Sequence, residues 1–359
     1  MLVAPLDWGL GHATRCVPLI EKLLNAGFKV IIAAEGDQKI LLQKEFPDLE
    51  MVHLKGYRLK YGSTKWRTIL KIIFQIPKIL TAINRESKWL SDFINDKHLD
   101  VVVADNRFGL HNRQIISVFI THQLYIKTSL GKLTDIIVQK MNYYFINRFN
   151  YCWVPDAAGE KNLAGELSHP AVQPLTTIIY TGLLSRIKKQ NLPVTNKLLI
   201  LLSGPEPQRS IAENILLPQL INYPHPVILV RGLPDATDII TSSASLTVYN
   251  YLPGPQLQQI INQSDIIISR SGYSTIMDVL PLGKKCIFIP TPGQSEQEYL
   301  AAYLAGKNYA CTGFQHNFSL PLLIEKAEKL QPPGFFLAPG PDEAANAIAI
   351  LVSFLNAKQ

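Results

Sequence analysis

Short runs of consecutive apolar residues recur along this chain, each followed by a stretch with helical periodicity, and the series occurs twice. Leu2–Leu6, Lys29–Ala34, Met51–Leu54, His98–Ala104, Ile115–Thr121, Tyr151–Val154 and Thr177–Tyr180 make the first set. Leu198–Leu202, Val227–Val230, Leu246–Val248, Asp265–Ser269 and Lys285–Ile289 make the second. A strand apolar on both faces must be covered on both faces, which a parallel sheet wrapped by helices achieves. The turn-rich stretch Leu183–Asn196 reads as a linker between the sets. The expected fold class is α/β, with two doubly wound Rossmann-like domains facing each other across a cleft. Residues 1–182 form the first domain, 183–340 the second, and 341–359 a terminal helix, Glu343–Leu355, capped by Asp342. A length of 359 residues suits two cores better than one. Ligands of such sheets bind beyond the carboxyl ends of the strands.

Composition narrows the class. Hydrophobic content of 47% against 18% charged residues describes a compact globular protein. The four cysteines, Cys16, Cys152, Cys286 and Cys311, lie far apart and match no metal-ligand spacing. They read as buried reduced thiols of a cytoplasmic protein. Leu2–Leu6 looks like a core strand rather than part of a signal peptide, and no apolar run approaches the ~20 residues of a membrane span. The net charge of +7 is uneven: 22 Lys and Arg face 16 Asp and Glu in residues 1–180, and 13 face 12 in the remainder. A basic first half beside a neutral second half suits an anionic partner for the first.

The turns after the strands carry the chemistry. Asp7-Trp8-Gly9-Leu10-Gly11-His12-Ala13-Thr14 follows the first strand and lacks the third glycine of a dinucleotide fingerprint. Glu35, past the second strand, follows Ala33-Ala34 and closes such a site poorly. His12 is a candidate general base for a hydroxyl; it is equally readable as a capping or packing histidine. Asp105, just past the fourth strand, is placed to orient His12, or to cap its own turn or pair with Arg107. His122 competes for the base role. In the second half, Ser271-Gly272-Tyr273-Ser274-Thr275 opens a helix with small residues suited to a diphosphate, and Asp278 follows at ribose distance. Gln294, Gln297 and Glu298 supply amides and carboxylates for sugar hydroxyls. Ser203-Gly204, past the first strand of the second set, suits phosphate or forms a rigid wall stiffened by Pro205 and Pro207.

One stretch has a different character. Tyr57–Leu90 holds eight basic residues against Glu86 alone, interleaved with bulky apolar ones. Such a helix either lies on an anionic membrane surface or packs in the core with a solvated basic face. Lys132–Phe149 is a weaker version. No base-reading motif accompanies the charge, so nucleic acid is not an expected partner.

With these residues laid out, the chain resembles the GT-B glycosyltransferases, on the family 28-like branch of the peptidoglycan UDP-N-acetylglucosamine transferase and the galactolipid synthases. The likeness covers most of the chain and is densest over Leu246–Ala310. Gly9-Leu10-Gly11-His12 is similar to the family's N-terminal glycine loop, and Ser271, Gly272 and Thr275 to its donor-phosphate turn. The resemblance implies that Asp278, where the family has Glu, meets the ribose and that Gln297 contacts the donor sugar. It further implies that Arg186, after Thr181-Gly182, approaches the diphosphate, and that Tyr251-Leu252 holds the uracil. Glu298 replaces a second Gln, which leaves the sugar open.

The expected protein is an inverting, metal-independent glycosyltransferase that needs no cofactor. It takes a nucleotide sugar, UDP-linked, on the second domain and an acceptor hydroxyl, lipid-linked, on the first. It works in the cytoplasm, peripherally at the inner face of an anionic membrane. The rivals are a nucleotide-sugar 2-epimerase of the same architecture and a non-catalytic nucleotide-sugar-binding subunit.

Overall fold

The structure is a computed structural model. It describes every residue except Trp8, 59–64, Ser129, Pro205, Asn222, 234–235, 238–244, 332–341 and 357–359, and it gives only the helical backbone of 65–73. The chain divides into two compact units, with the break between Arg186 and Ile187.

The first unit is built on a seven-stranded sheet, ordered β3-β2-β1-β4-β5-β6-β7, in which every pairing is parallel. Its strands are β1 (Leu2–Pro5), β2 (Ile31–Ala34), β3 (Glu50–His53), β4 (Val101–Asp105), β5 (Ile116–Ile120), β6 (Tyr151–Val154) and β7 (Thr177–Tyr180). Helices α1 (Leu10–Asn25), α2 (Gly36–Glu45), α3 (Lys65–Lys97) and α4 (Lys132–Ile146) connect them. Strands β1, β4 and β5 are buried along their whole length, which is why their sequences are apolar without alternation. Val3, Val103 and Val118 face one core with Leu19, Ile20 and Leu23 of α1. Leu2, Val102 and Phe119 face the other with Leu90 and Ile94 of α3.

The second unit repeats the plan with six parallel strands, ordered β10-β9-β8-β11-β12-β13. These are β8 (Asn196–Leu201), β9 (Val227–Val230), β10 (Leu246–Tyr249), β11 (Ser264–Ser269), β12 (Lys285–Phe288) and β13 (Cys311–Thr312). Helices α5 (Gln208–Ile221), α6 (Gly254–Asn262), α7 (Tyr273–Val279), α8 (Ser295–Gly306) and α9 (Leu320–Glu328) cover them. The last helix, α10 (Glu343–Asn356), returns to the first unit. Ala344, Ala347, Ile348 and Leu351 bury its face in the first unit's core. Asp342 caps it, accepting from the Ala345 N–H at 3.0 Å.

Two local expectations change. α1 starts at Leu10, so the turn after the first strand runs straight into the helix and Gly11 and His12 lie in its first turn. Glu86, the acid of the basic stretch, is not a surface counter-charge: it is buried, accepting from Tyr57 Oη at 2.9 Å and from Arg107 Nε at 2.8 Å. Arg107 is therefore spent on Glu86 and does not pair with Asp105. Of the eight basic residues of 57–90, the side chains of Lys60, Lys65, Arg67 and Lys71 lie outside the described residues.

Candidate active site

The order of strands reverses between β1 and β4, and this is where a doubly wound sheet opens a crevice at its carboxyl edge. Pro5 of β1 stands beside Asp105 of β4 in register. The chain leaving β1 turns through Gly9, at φ 76°, a backbone region that favours glycine, and enters α1. That turn brings His12 back over the strand ends. His12 Nδ1 lies 3.0 Å from Asp105 Oδ1. The candidate pair, 93 residues apart in sequence, is a contact in the fold.

Sequence reasoning missed the third member. Arg15 sits three residues after His12, on the same face of α1, and is 3% exposed. Its Nε donates to Asp105 Oδ2 at 2.6 Å, and its Nη2 pairs with Asp105 Oδ1. Nη2 also lies 2.7 Å from His12 Nδ1, and Nη1 lies 3.3 Å from His122 Nδ1. The signal was available: Arg15 stands among Ala13, Cys16, Val17, Leu19 and Ile20, the buried face of α1. A cation there needs a buried anion, and Asp105 ends an otherwise apolar strand.

The protonation states follow from this packing. Burial opposes the Asp105 charge, but Arg15 and then His12 outweigh it and hold the carboxyl well below the usual carboxylate range. Burial lowers the His12 pKa; Asp105 pulls it back up, and Arg15 pushes it down again. His12 is thus neutral near pH 7. His12 Nδ1 meets both the Asp105 carboxylate at 3.0 Å and the Arg15 Nη2 donor at 2.7 Å; in the tautomer that donates to Asp105, Nε2 keeps the lone pair a general base needs. His12 keeps a side-chain exposure of 15%, whereas Asp105 is fully buried. Cys16 Sγ also reaches Asp105 Oδ2, at 3.7 Å; burial and that charge push its thiol up, so it stays protonated.

A cavity of ≈ 380 Å³ opens at the ends of β1 and β2, with Asp7, Gly9, Leu10, Glu35, Asp37 and Arg58 in its wall. Glu35 is drawn down to about 2, first by Arg58 hydrogen bonding and then against the cost of burial. It accepts from the Gly56 N–H at 2.7 Å and from Arg58 Nε at 3.0 Å, so it builds the wall of the cavity.

In the second unit the strand order reverses between β8 and β11. Leu201 and Ser269 are in register there, so Ser203-Gly204 and Arg270-Ser271-Gly272 emerge side by side. Ser271 is buried and donates from Oγ to the Gln297 carbonyl at 2.8 Å. That bond ties the β11 turn to the start of α8. Gln297 Oε1 accepts from the Thr291 N–H, and Glu298 Oε1 from the Gly293 N–H, both at 2.8 Å. Both residues thus shape the loop 291–294, where Gln294 caps α8. α7 runs only seven residues, so its macrodipole is partial. Gly272 has φ −71° and nothing within 4 Å of where a Cβ would stand. The fold itself does not require glycine there, and its absence of a side chain leaves the backbone open to close approach. Gly204, at φ 104°, also faces open space.

Arg270 was not foreseen. It is 3% exposed and donates to the carbonyls of Ile289 at 3.2 Å, Pro290 at 3.4 Å and Gln208 at 2.7 Å. Burial lowers its pKa to about 10. Asp278 and Thr275 are half-buried on α7; Tyr251 is half-exposed and Leu252 buried between β10 and α6. Arg186 ends the first unit, 4.0 Å from Glu45, and its Nε is buried with no partner among the described residues.

Residues 227–351 match the glycosyltransferase family 28 C-terminal domain. An uncharacterised glycosyltransferase of Methanosarcina acetivorans is 25% identical over 331 residues, spanning 84% of this chain and 82% of that one. A UDP-N-acetylglucosamine–N-acetylmuramyl-(pentapeptide) pyrophosphoryl-undecaprenol N-acetylglucosamine transferase of Sulfurihydrogenibium is 27% identical over 100 residues, 28% of each chain. Among solved structures, the glycotransferase of kitacinnamycin superposes with a TM-score of 0.64 at 14% identity, covering 96% of this chain and 92% of that one. MurG of Acinetobacter baumannii gives 0.54 at 15%, covering 98% of each. A putative UDP-N-acetylglucosamine 2-epimerase of Listeria monocytogenes gives 0.56 at 14%, covering 97% and 94%, so the epimerase rival shares the fold. The two parallel-sheet units and the family 28 domain define a glycosyltransferase. The chain has the GT-B fold, and residues 227–351 carry its family 28 match.

Proposed function

We propose that this enzyme moves a sugar from a UDP-sugar to a hydroxyl of a lipid-linked acceptor, with inversion and without a metal. The observation that carries the reading is the His12–Asp105–Arg15 cluster, a neutral histidine in contact with a buried carboxylate at a strand-order reversal. Asp105 accepts from His12 Nδ1, and Nε2 takes the acceptor proton. The freed oxygen attacks the anomeric carbon on the face opposite the diphosphate. The bond from that carbon to the diphosphate breaks, its electron pair leaves with UDP, and the configuration inverts.

The donor belongs to the second unit, where the family 28 match falls. Gly272 and Gly204 give the diphosphate close backbone approach, Ser203 and Thr275 add hydroxyls, and Ser271, its own hydroxyl given to the Gln297 carbonyl, holds the turn that receives it. Asp278 takes the ribose, Tyr251 and Leu252 the uracil, and Gln294, Gln297 and Glu298 the sugar. The unspent Nε of Arg186 is a donor for the departing charge. The acceptor belongs to the first unit, whose carboxylate-lined cavity suits hydroxyls. The uridine and lipid assignments draw on the Sulfurihydrogenibium relative's name. The enzyme then works in the cytoplasm, peripherally at the inner face of the membrane.

Calorimetry tests the donor half. UDP binding is expected to persist in EDTA and to weaken in Asp278→Ala. Binding that demands a divalent cation overturns the metal-free reading, and a preference for another nucleotide overturns the uridine. The anomeric configuration of the product, read by NMR, decides inversion.

A further inference from the structure

The buried charges of the second unit do not balance. Among its described residues four charged side chains are buried: Arg209, Arg231, Arg270 and a single carboxylate, Glu213. Arg209 opens α5 after β8, Arg231 follows β9 and Arg270 follows β11, so all three stand at the carboxyl edge of the sheet. Glu213 accepts from Arg209 Nη1 at 2.6 Å and from Arg231 Nε at 2.5 Å. Arg270 meets only carbonyls, one of them Gln208, the neighbour of Arg209. A buried ion is costly unless an opposite charge answers it. Three guanidiniums against one carboxylate leave two positive charges in excess. One carboxylate from the surface answers part of that excess. The Glu206 side chain is 51% exposed, and it accepts from Arg209 Nε at 2.5 Å and from the Ser210 N–H at 3.2 Å. It stands two residues after Gly204, in the turn given above to the diphosphate. Gly232 holds the chain after Arg231 against that turn: at φ 71°, a Cβ there would stand 2.4 Å from the Leu202 carbonyl oxygen.

We propose that Glu206 stands in for a donor phosphate on Arg209, and that the donor binds by exchange. A phosphate oxygen accepts from Arg209 Nε, and the Glu206 carboxylate turns out into solvent. The direction of the exchange follows from charge. A half-exposed ion pair contributes little by itself, so Glu206 gives way readily. A phosphate on a guanidinium makes a stronger, charge-assisted bond. Left in place, the carboxylate would lie against a diphosphate of its own sign. A diphosphate carries more than one negative charge, so it answers the buried excess better than a single carboxylate does. Glu206 thus keeps Arg209 paired until the donor arrives and makes the turn selective for a highly charged ligand. The inference rests on the reading that the diphosphate meets Ser203 and Gly204, and its test separates the two.

Calorimetric titration of the full chain with UDP reads the exchange. Glu206→Gln removes the charge and keeps an oxygen for the Ser210 N–H. It should tighten UDP binding by about three- to tenfold, opposite in sign to the loss expected of a carboxylate that contacts the ligand. Glu325→Gln on α9 removes another exposed carboxylate, one paired with Lys329 at 2.7 Å, and should change the affinity less than about twofold. Arg209→Gln should weaken UDP binding by about tenfold. Glu213 keeps Arg231 in that variant, and thermal melting checks that each variant is folded. With no guanidinium to hold it, Glu206 leaves unaided, so adding Glu206→Gln to Arg209→Gln should gain less than about twofold. A merely structural Glu206 would lower melting and leave UDP affinity in place. UDP bound by Glu206→Gln no more tightly than by the native chain overturns the exchange and leaves the donor reading standing. So does a gain matched by Glu325→Gln, or one kept whole beside Arg209→Gln. A native chain that binds no UDP overturns both.

Discussion

The two sheets reverse their strand order in the same way, yet their reversal points are furnished oppositely. In the first unit the point is filled by the protein's own charges: Asp105 is buried and answered by Arg15 and His12. In the second it is left open, with Gly272 and Gly204 facing space that no described side chain occupies. A filled point fixes a protonation state; an open one receives a ligand. In the proposed function the first serves rate and the second affinity.

His12→Ala tests that division most severely. Transfer should fall by ~10²–10⁴-fold while the affinity for UDP changes less than about twofold. A loss of UDP affinity equal to the loss of rate would erase the distinction between the two points. Arg15→Gln comes next. It strands the buried Asp105 charge and should cost about 3–5 kcal/mol of stability, read by denaturant titration. It also removes the cation that depresses His12, so the acid limb of the pH–rate profile should move to higher pH. A merely structural Arg15 would lower stability and leave that limb in place.

Gly272→Ala is expected to have the smallest effect, and on the other property. UDP affinity should drop about tenfold as charge-assisted backbone contacts are lost. Melting should stay nearly unchanged, because the poorer cap and the stiffer unfolded chain nearly cancel. A fall in melting temperature would mean that the glycine serves the fold.

Acid should distinguish the units as well. The folded pKa values of His12 and Asp105 are both depressed, so both contribute stability that is present above the unfolded values and lost as pH falls. The His12 share should begin to fade below about 6.5 and the Asp105 share below about 3.9. Chemical denaturation across pH 3–8 should show both steps, with the first absent in His12→Asn. Rate should fall over the same first window, because protonated His12 cannot accept.

The sheets were legible in the sequence because a strand buried on both faces must be apolar throughout, and Val101–Val103 or Ile266–Ile268 admit few other readings. The turns after β1, β8 and β11 were legible as small-residue breaks at strand ends. The partnership of His12 with Asp105 was readable as one of several options, since two residues at neighbouring strand ends are near each other in any such sheet. Arg15 was not seen, because side-chain charge alone does not say whether a helix position faces water. Gln297 and Glu298 were seen as sugar ligands, but their hydrogen bonds to the loop 291–294 depend on how that loop folds.

The two basic, apolar helices mark the limit most clearly. Composition favoured 57–90 over 132–149; among the described side chains both leave apolar residues in water, Phe74 and Leu80 on α3 and Leu133 and Ile137 on α4, while α4 turns Asp135 and Asn142 inward. The sequence by itself determined that two parallel sheets form and which turns close their carboxyl edges, since local periodicity and strand burial are written residue by residue. Only the tertiary structure decided which face of a helix meets the core and which charges are buried together. Those outcomes depend on partners distant in sequence, such as Asp105 for Arg15 and the carbonyls after His122 for Asn142.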